Sequence, residues 1–219
     1  ALALFARHWF GAYELDDEQG ALRGLQALWG ALFTALSFLT TTGFESAGWQ
    51  DVRGWSGLGS SGMILLGLAL IGGGVATTAG GVKLLRGWAL YLNGVRELDR
   101  LIHPNLVRRD SGQGRRLRSK GAFIAWVFFM LFASVLTLFI GLFAALGSSL
   151  EEATILAITA LSNTGPLVTL GGDAPILVAE LRPAAKGVMA AGMVLGRLEM
   201  LAIIALATSD VWRTWLQPR

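Results

Sequence analysis

Residues 54–82 and 121–150 contain no Asp, Glu, Lys or Arg. Each run is longer than the roughly 20 residues with which a helix crosses about 30 Å of hydrocarbon. A chain with two such runs has to place them in a bilayer or in a large core, and its composition favours the bilayer. Charged residues make up 15% of the chain and hydrophobic ones 53%, whereas a soluble domain carries about 25% charged residues. The expected fold class is therefore all-α and integral to the membrane. A third spanning candidate covers 183–208, interrupted by Lys186, Arg197 and Glu199.

Charge asymmetry orients these segments. Ten of the 18 Lys and Arg fall between Lys83 and Lys120, while Tyr13 to Asp51 carries Glu14, Asp16, Asp17, Glu18, Glu45 and Asp51 against Arg23 alone. The positive-inside rule makes 83–120 cytoplasmic. If 57–82 crosses inward and 121–147 outward, both Asp51 and Glu151 lie outside. The uncharged segments 24–44 and 153–172 then begin and end on that same outer side, and both are expected to re-enter the membrane rather than cross it. This gives one organisation twice over: helix, re-entrant helix, glycine turn, helix. Non-helical backbone at membrane depth is tolerated where protein buries it or where it lines a water-filled path, and internal repeats are common where a path forms between them.

The two turns are Thr40-Thr41-Thr42-Gly43-Phe44 and Ser162-Asn163-Thr164-Gly165-Pro166. Consecutive hydroxyls and carbonyls around a glycine can replace the hydration shell of a cation, the chemistry of carbonyl filters. The candidate ion-binding residues are thus Thr40, Thr41, Thr42 and Gly43 with Ser162, Asn163, Thr164 and Gly165. A helix that simply ends in a C-cap glycine would look similar at either turn, and Asn163 is also suited to capping. Between Ile71 and Lys83, five glycines in ten residues (Gly72, Gly73, Gly74, Gly80 and Gly81, with Thr77 and Thr78 between them) oppose a regular helix. The stretch is expected to break the helix and to serve as a constriction, although close helix packing would use the same small residues. It does not match a phosphate-binding loop, because Lys83 is followed by Leu84. An arginine in a span must face protein or water, so Arg197 is a candidate partner of the glycine-rich stretch, or else it snorkels to the interface.

Other functions find little support. His8 and His103 lack the companions of a metal or catalytic site, and no Ser-His-Asp set or carboxylate pair suggests an enzyme. Without cysteine there is neither a disulfide nor a thiolate metal site. The basic charge sits largely in one loop, where it reads as a contact for anionic lipid or for a soluble subunit rather than for nucleic acid. Two rival readings remain at this point: a solute carrier built on broken helices, and a non-transporting membrane scaffold.

Four segments in order, Thr-Thr-Thr-Gly-Phe (40–44), Gly-Gly-Val-Ala-Thr-Thr-Ala-Gly-Gly-Val-Lys (73–83), Ala-Leu-Ser-Asn-Thr-Gly-Pro (160–166) and Gly-Arg-Leu-Glu (196–199), resemble the Trk/Ktr/HKT superfamily of potassium transporters, the bacterial Trk-type membrane subunit most closely. The resemblance implies the third and fourth of four pore repeats in a potassium-channel-like architecture. The third repeat would be 1–98, with a truncated first helix, pore helix 21–39, filter 40–44 and broken helix 57–98. A cytoplasmic basic loop would follow at 99–119. The fourth repeat would be 120–219, with helix 120–147, pore helix 149–161, filter 162–166 and helix 183–208. The resemblance further implies that 72–81 and Arg197 form the gate and that K⁺ is transported, alone or together with Na⁺, with no bound cofactor. It also implies a homodimer in the inner (plasma) membrane, multi-pass, on a cytoplasmic ring of nucleotide-binding regulatory subunits. The first two repeats would have to lie in an N-terminal half that this sequence lacks.

Overall fold

The computed structural model describes residues 18–47, 61–74, 79–102, 112–172 and 174–197, whose regular elements are all helices, without a strand. The helices are α1 (Glu18–Leu39), α2 (Ser61–Ile71), α3 (Leu84–Ile102), α4 (Gly112–Ala145), α5 (Leu150–Ser162), the single turn α6 (Leu167–Leu170) and α7 (Pro183–Arg197), with a 3₁₀ turn at Val178–Glu180.

The centre of the structure is α5. Ser149 starts it with a reciprocal cap: its hydroxyl accepts from the Glu152 N–H (3.2 Å), and the Glu152 carboxylate accepts from the Ser149 N–H (3.0 Å). From Ile155 to Ser162 every residue is buried. A helix that is apolar all round has to be surrounded by protein or lipid, and α5 is surrounded by protein. Ile155 and Ile158 join α1, α2 and α6 through Phe38, Leu65, Ala69 and Leu167. The other side, Leu156, Ala157, Ala160 and Leu161, packs on Phe139 and Phe143 of α4 and Met189 of α7. At 13 residues α5 is about 20 Å long, too short for the hydrocarbon of a bilayer.

Within α4, Gly121–Ala145 is the one stretch among the described residues long and apolar enough to cross a membrane, with a mean hydropathy of 2.5. Its outward side chains include Phe123, Ile124, Trp126, Phe129, Leu138 and Leu142, all exposed. The chain is continuous helix upstream to Gly112, so the basic stretch expected as a loop over 99–119 is helical at both ends, with α3 packed along α4.

The uncharged run at 54–82 is not one straight span. Its helix α2 has 11 residues, about 17 Å, and stops at Ile71. The chain then turns at Gly72 (φ 73°) and comes back along the helix end: the N–H groups of Val82, Lys83 and Leu84 donate to the carbonyls of Leu70, Ile71 and Gly73 at 2.8–3.1 Å. Carbonyls that a continuing helix would have used are satisfied by the returning strand of backbone. Gly81 allows this approach, since a Cβ there would lie 2.7 Å from the Leu70 carbonyl oxygen.

Candidate functional site

The two hydroxyl-rich turns have the same backbone construction. Thr41 and Asn163 both adopt the left-handed conformation, at φ 57° and 58°. The Thr41 N–H donates to Phe38 O (3.1 Å) and the Asn163 N–H to Ala160 O (3.3 Å). One residue on, the Thr42 N–H donates to Ser37 O (2.9 Å) and the Thr164 N–H to Thr159 O (3.2 Å). This is the double bond pattern of a Schellman helix end, set up in each case by the residue two places before the glycine.

The turns also meet. An added Cβ on Gly43 (φ 85°) would stand 2.8 Å from Pro166 Cδ and 3.1 Å from Thr164 Cγ2. Gly43 therefore lies against the second turn with no room for a side chain. Gly165 differs: it is exposed, its φ is not positive, and an added Cβ would touch nothing. The Thr40 hydroxyl turns back toward the carbonyls of Leu36 and Ser37 and toward Thr42 Oγ1. Asn163 donates from Nδ2 to the carbonyl of Met193 in α7 (3.1 Å). Four hydroxyl oxygens around these helix ends, those of Ser37, Thr159, Ser162 and Thr164, are buried and have no hydrogen-bond partner.

The electrostatics follow from the helix directions. The C-terminal ends of α1 and α5 carry the negative poles of their helix dipoles, and neither last turn contains a basic residue to neutralise them. An oxygen-rich donor set without thiolate or imidazole suits a hard monovalent or divalent cation better than a transition metal.

Below the α5 end, Gly80 and Gly196 both press on its backbone. A Cβ at Gly80 would lie 2.7 Å from Ser162 Cα, and one at Gly196 2.9 Å from Leu161 Cα. Beside them is a cleft of about 40 Å³ lined by Gly81, Lys83, Arg86, Phe128, Leu161 and Arg197, among others. Lys83 is buried, and the Arg86 guanidinium sits 3.7 Å from the centre of the Phe128 ring. The fold thus brings Arg197 and the far end of the glycine-rich stretch to one place. Gly72 and Gly73 are buried at the end of α2, and Gly74 is exposed. Thr77, Thr78 and Glu199 lie outside the described residues, as do 1–17 and 198–219. Sequence reasoning missed Lys83 and Arg86 as cleft residues. Lys83 was visible as the first charge after the glycines; nothing in the sequence pairs Arg86 with Phe128.

The described residues are all-helical, with short buried helices beside one stretch long and apolar enough to cross a membrane. The sequence profile of the TrkH family, described as cation transport protein, matches residues 12–213. The chain belongs to the TrkH family of cation transport proteins. The Trk system potassium uptake protein TrkH of Vibrio parahaemolyticus is 34% identical over 185 residues, which cover 84% of this chain and 36% of that protein. TrkH of Escherichia coli K12 is 31% identical with the same coverage, and TrkI of Halomonas elongata is 32% identical, covering 83% of this chain and 36% of that protein. The crystal structure of the potassium transporter TrkH from V. parahaemolyticus aligns with a TM-score of 0.72 at 28% identity, covering 96% of this chain and 43% of that one. The chain spans little more than a third of the length of the curated relatives it matches.

Proposed function

We infer that this chain supplies two helix, pore-loop, helix repeats of a pathway that carries K⁺, alone or together with Na⁺, across the inner membrane. The observation that carries this reading is the pairing of the two turns: equal backbone construction at Thr41 and Asn163, with Gly43 lodged against Pro166. Backbone and hydroxyl oxygens of Thr40–Gly43 and Ser162–Gly165 take the place of the ion's water, and the α1 and α5 dipole ends favour its charge. The relatives are named as potassium uptake proteins, which makes K⁺ the first ion to test.

The glycine-rich stretch 72–81 forms the constriction below the filter, and Arg197 raises an electrostatic barrier beside it. Two further repeats complete the filter in the whole protein, which works as a homodimer on cytoplasmic nucleotide-binding subunits and carries no bound cofactor. The test is K⁺ uptake by potassium-transport-deficient cells expressing the complete protein with Gly43→Ser. The expected result is weaker apparent K⁺ affinity and reduced preference for K⁺ over Na⁺ at equal protein in the membrane. An unchanged affinity and preference would refute the filter assignment.

A further inference from the structure

The Asn163 side chain leaves its own turn and reaches α7, 30 residues away in sequence, where Nδ2 donates to the Met193 carbonyl at 3.1 Å. Met193 stands four residues, about one helical turn, before Arg197. The backbone of Leu161–Asn163 is clasped on both sides: Gly80 of the glycine-rich stretch lies against Leu161 and Ser162, and Gly196 of α7 lies against Leu161. Both approaches are backbone on backbone, with no side chain between that could change rotamer and absorb a shift. Close-packed contacts of this kind transmit displacement rather than damp it.

We propose that Asn163 is a positioning residue that ties the second filter segment to α7, so that ion affinity and ion preference at the filter depend on the position of the helix end that carries Arg197. The proposal rests on the pore reading above and adds a connection to it. Asparagine suits the position on two counts. It tolerates the left-handed backbone that the turn requires (φ 58°, ψ 32°), and its amide supplies the donor that the Met193 carbonyl accepts. Aspartate has the same length and no donor. At the matching place in the first turn, Thr41 makes no such bond to another helix among the described residues, so the connection belongs to the second turn alone. Leu161 is the fulcrum: Gly80 and Gly196 meet at its backbone, and a motion of either segment is felt two residues later at Asn163.

The experiment measures K⁺ uptake, and its competition by Na⁺, in transport-deficient cells or proteoliposomes containing the complete protein, with transporter amount determined for each variant. Asn163→Gly keeps the left-handed backbone and removes the amide. It is expected to raise the K⁺ concentration for half-maximal uptake about fivefold, the value of one net hydrogen bond, and to make Na⁺ a better competitor. Arg197→Ala alone should increase flux and shift half-saturation; combined with Asn163→Gly it should still increase flux but shift half-saturation no further.

Parental half-saturation and ion preference in Asn163→Gly, or additive shifts in the double variant, would overturn the tie. Gly43→Ser in the same assay separates the two readings. If it too changes nothing, the pore assignment falls; if it shifts affinity while Asn163→Gly does not, the tie alone falls. Should Asn163→Gly fail to reach the membrane, Gly196→Ala pushes α7 off Leu161 with the amide left in place. It is expected to shift half-saturation as well, and the absence of a shift would overturn the proposal.

Discussion

Replacing Gly43 by alanine puts the packing of the two turns to a quantitative test. Two costs add. At φ 85° an L-residue pays for its Cβ in the left-handed region, of order 1–2 kcal/mol. The new methyl would also stand 2.8 and 3.0 Å from Pro166 Cδ and Cγ. That ring is rigid and cannot turn away, so overpacking of about 1–3 kcal/mol applies. The sum is roughly 2–5 kcal/mol, and at about 2–4 °C per kcal/mol for a unit of 150–250 residues it corresponds to a fall in Tm of roughly 4–20 °C. Gly165→Ala is the contrast, because its φ is not positive and its Cβ enters open space; these residues charge it less than about 0.5 kcal/mol. Purified complete protein in detergent, followed by intrinsic tryptophan fluorescence on heating, reads both. Equal Tm values for Gly43→Ala and the parent would refute the contact between the turns.

Two smaller tests follow from the same helix ends. Ser149→Ala removes one half of the α5 cap and should cost about 1 kcal/mol, seen as faster amide exchange in the first turn of α5; unchanged protection at Glu152 would contradict it. Thr41→Asn replaces a β-branched residue at φ 57° with one that accepts that conformation, and should raise Tm by about 2–4 °C per kcal/mol of relieved strain, of which roughly 1 kcal/mol is expected. A lower Tm would show that the threonine side chain stabilises the turn by more than its backbone costs.

What the sequence made legible was local. The uncharged segments 24–44 and 153–172, each with a hydroxyl-rich glycine turn, read as re-entrant helices, and the structure has helices at Glu18–Leu39 and Leu150–Ser162. Glycine density at 72–81 marked the end of α2, since each glycine weakens a helix by about 1 kcal/mol relative to alanine. Inside the turns the left-handed residues are Thr41 and Asn163, two places before the glycines; the capping suited to Asn163 in the sequence is what the structure shows, whereas nothing in the sequence marks Thr41. A threonine in that conformation is uncommon enough that sequence preference argues against it; the helix-end hydrogen bonds of Thr41 and Thr42 impose it. The helical start of α4 at Gly112 was hidden by the flanking glycines and arginines. Least legible were pairings between distant residues, such as Gly43 with Pro166, Arg86 with Phe128 and Asn163 with Met193. Periodicity and turn chemistry describe a segment and carry no record of its partner.

The bare helix ends at the two turns have a kinetic consequence. A helix-dipole field fades within about one turn of the terminus, and neither end carries a charged side chain to extend it. In the pathway proposed above, such a centre would hold a cation that has already arrived but would not draw one from solution. Recruitment therefore falls to formal charges nearby, of which exposed Glu45, two residues past Gly43, is the nearest in sequence. On that proposal, rate of entry and strength of retention would be set by different groups, and ionic strength should alter the first while leaving the second almost untouched.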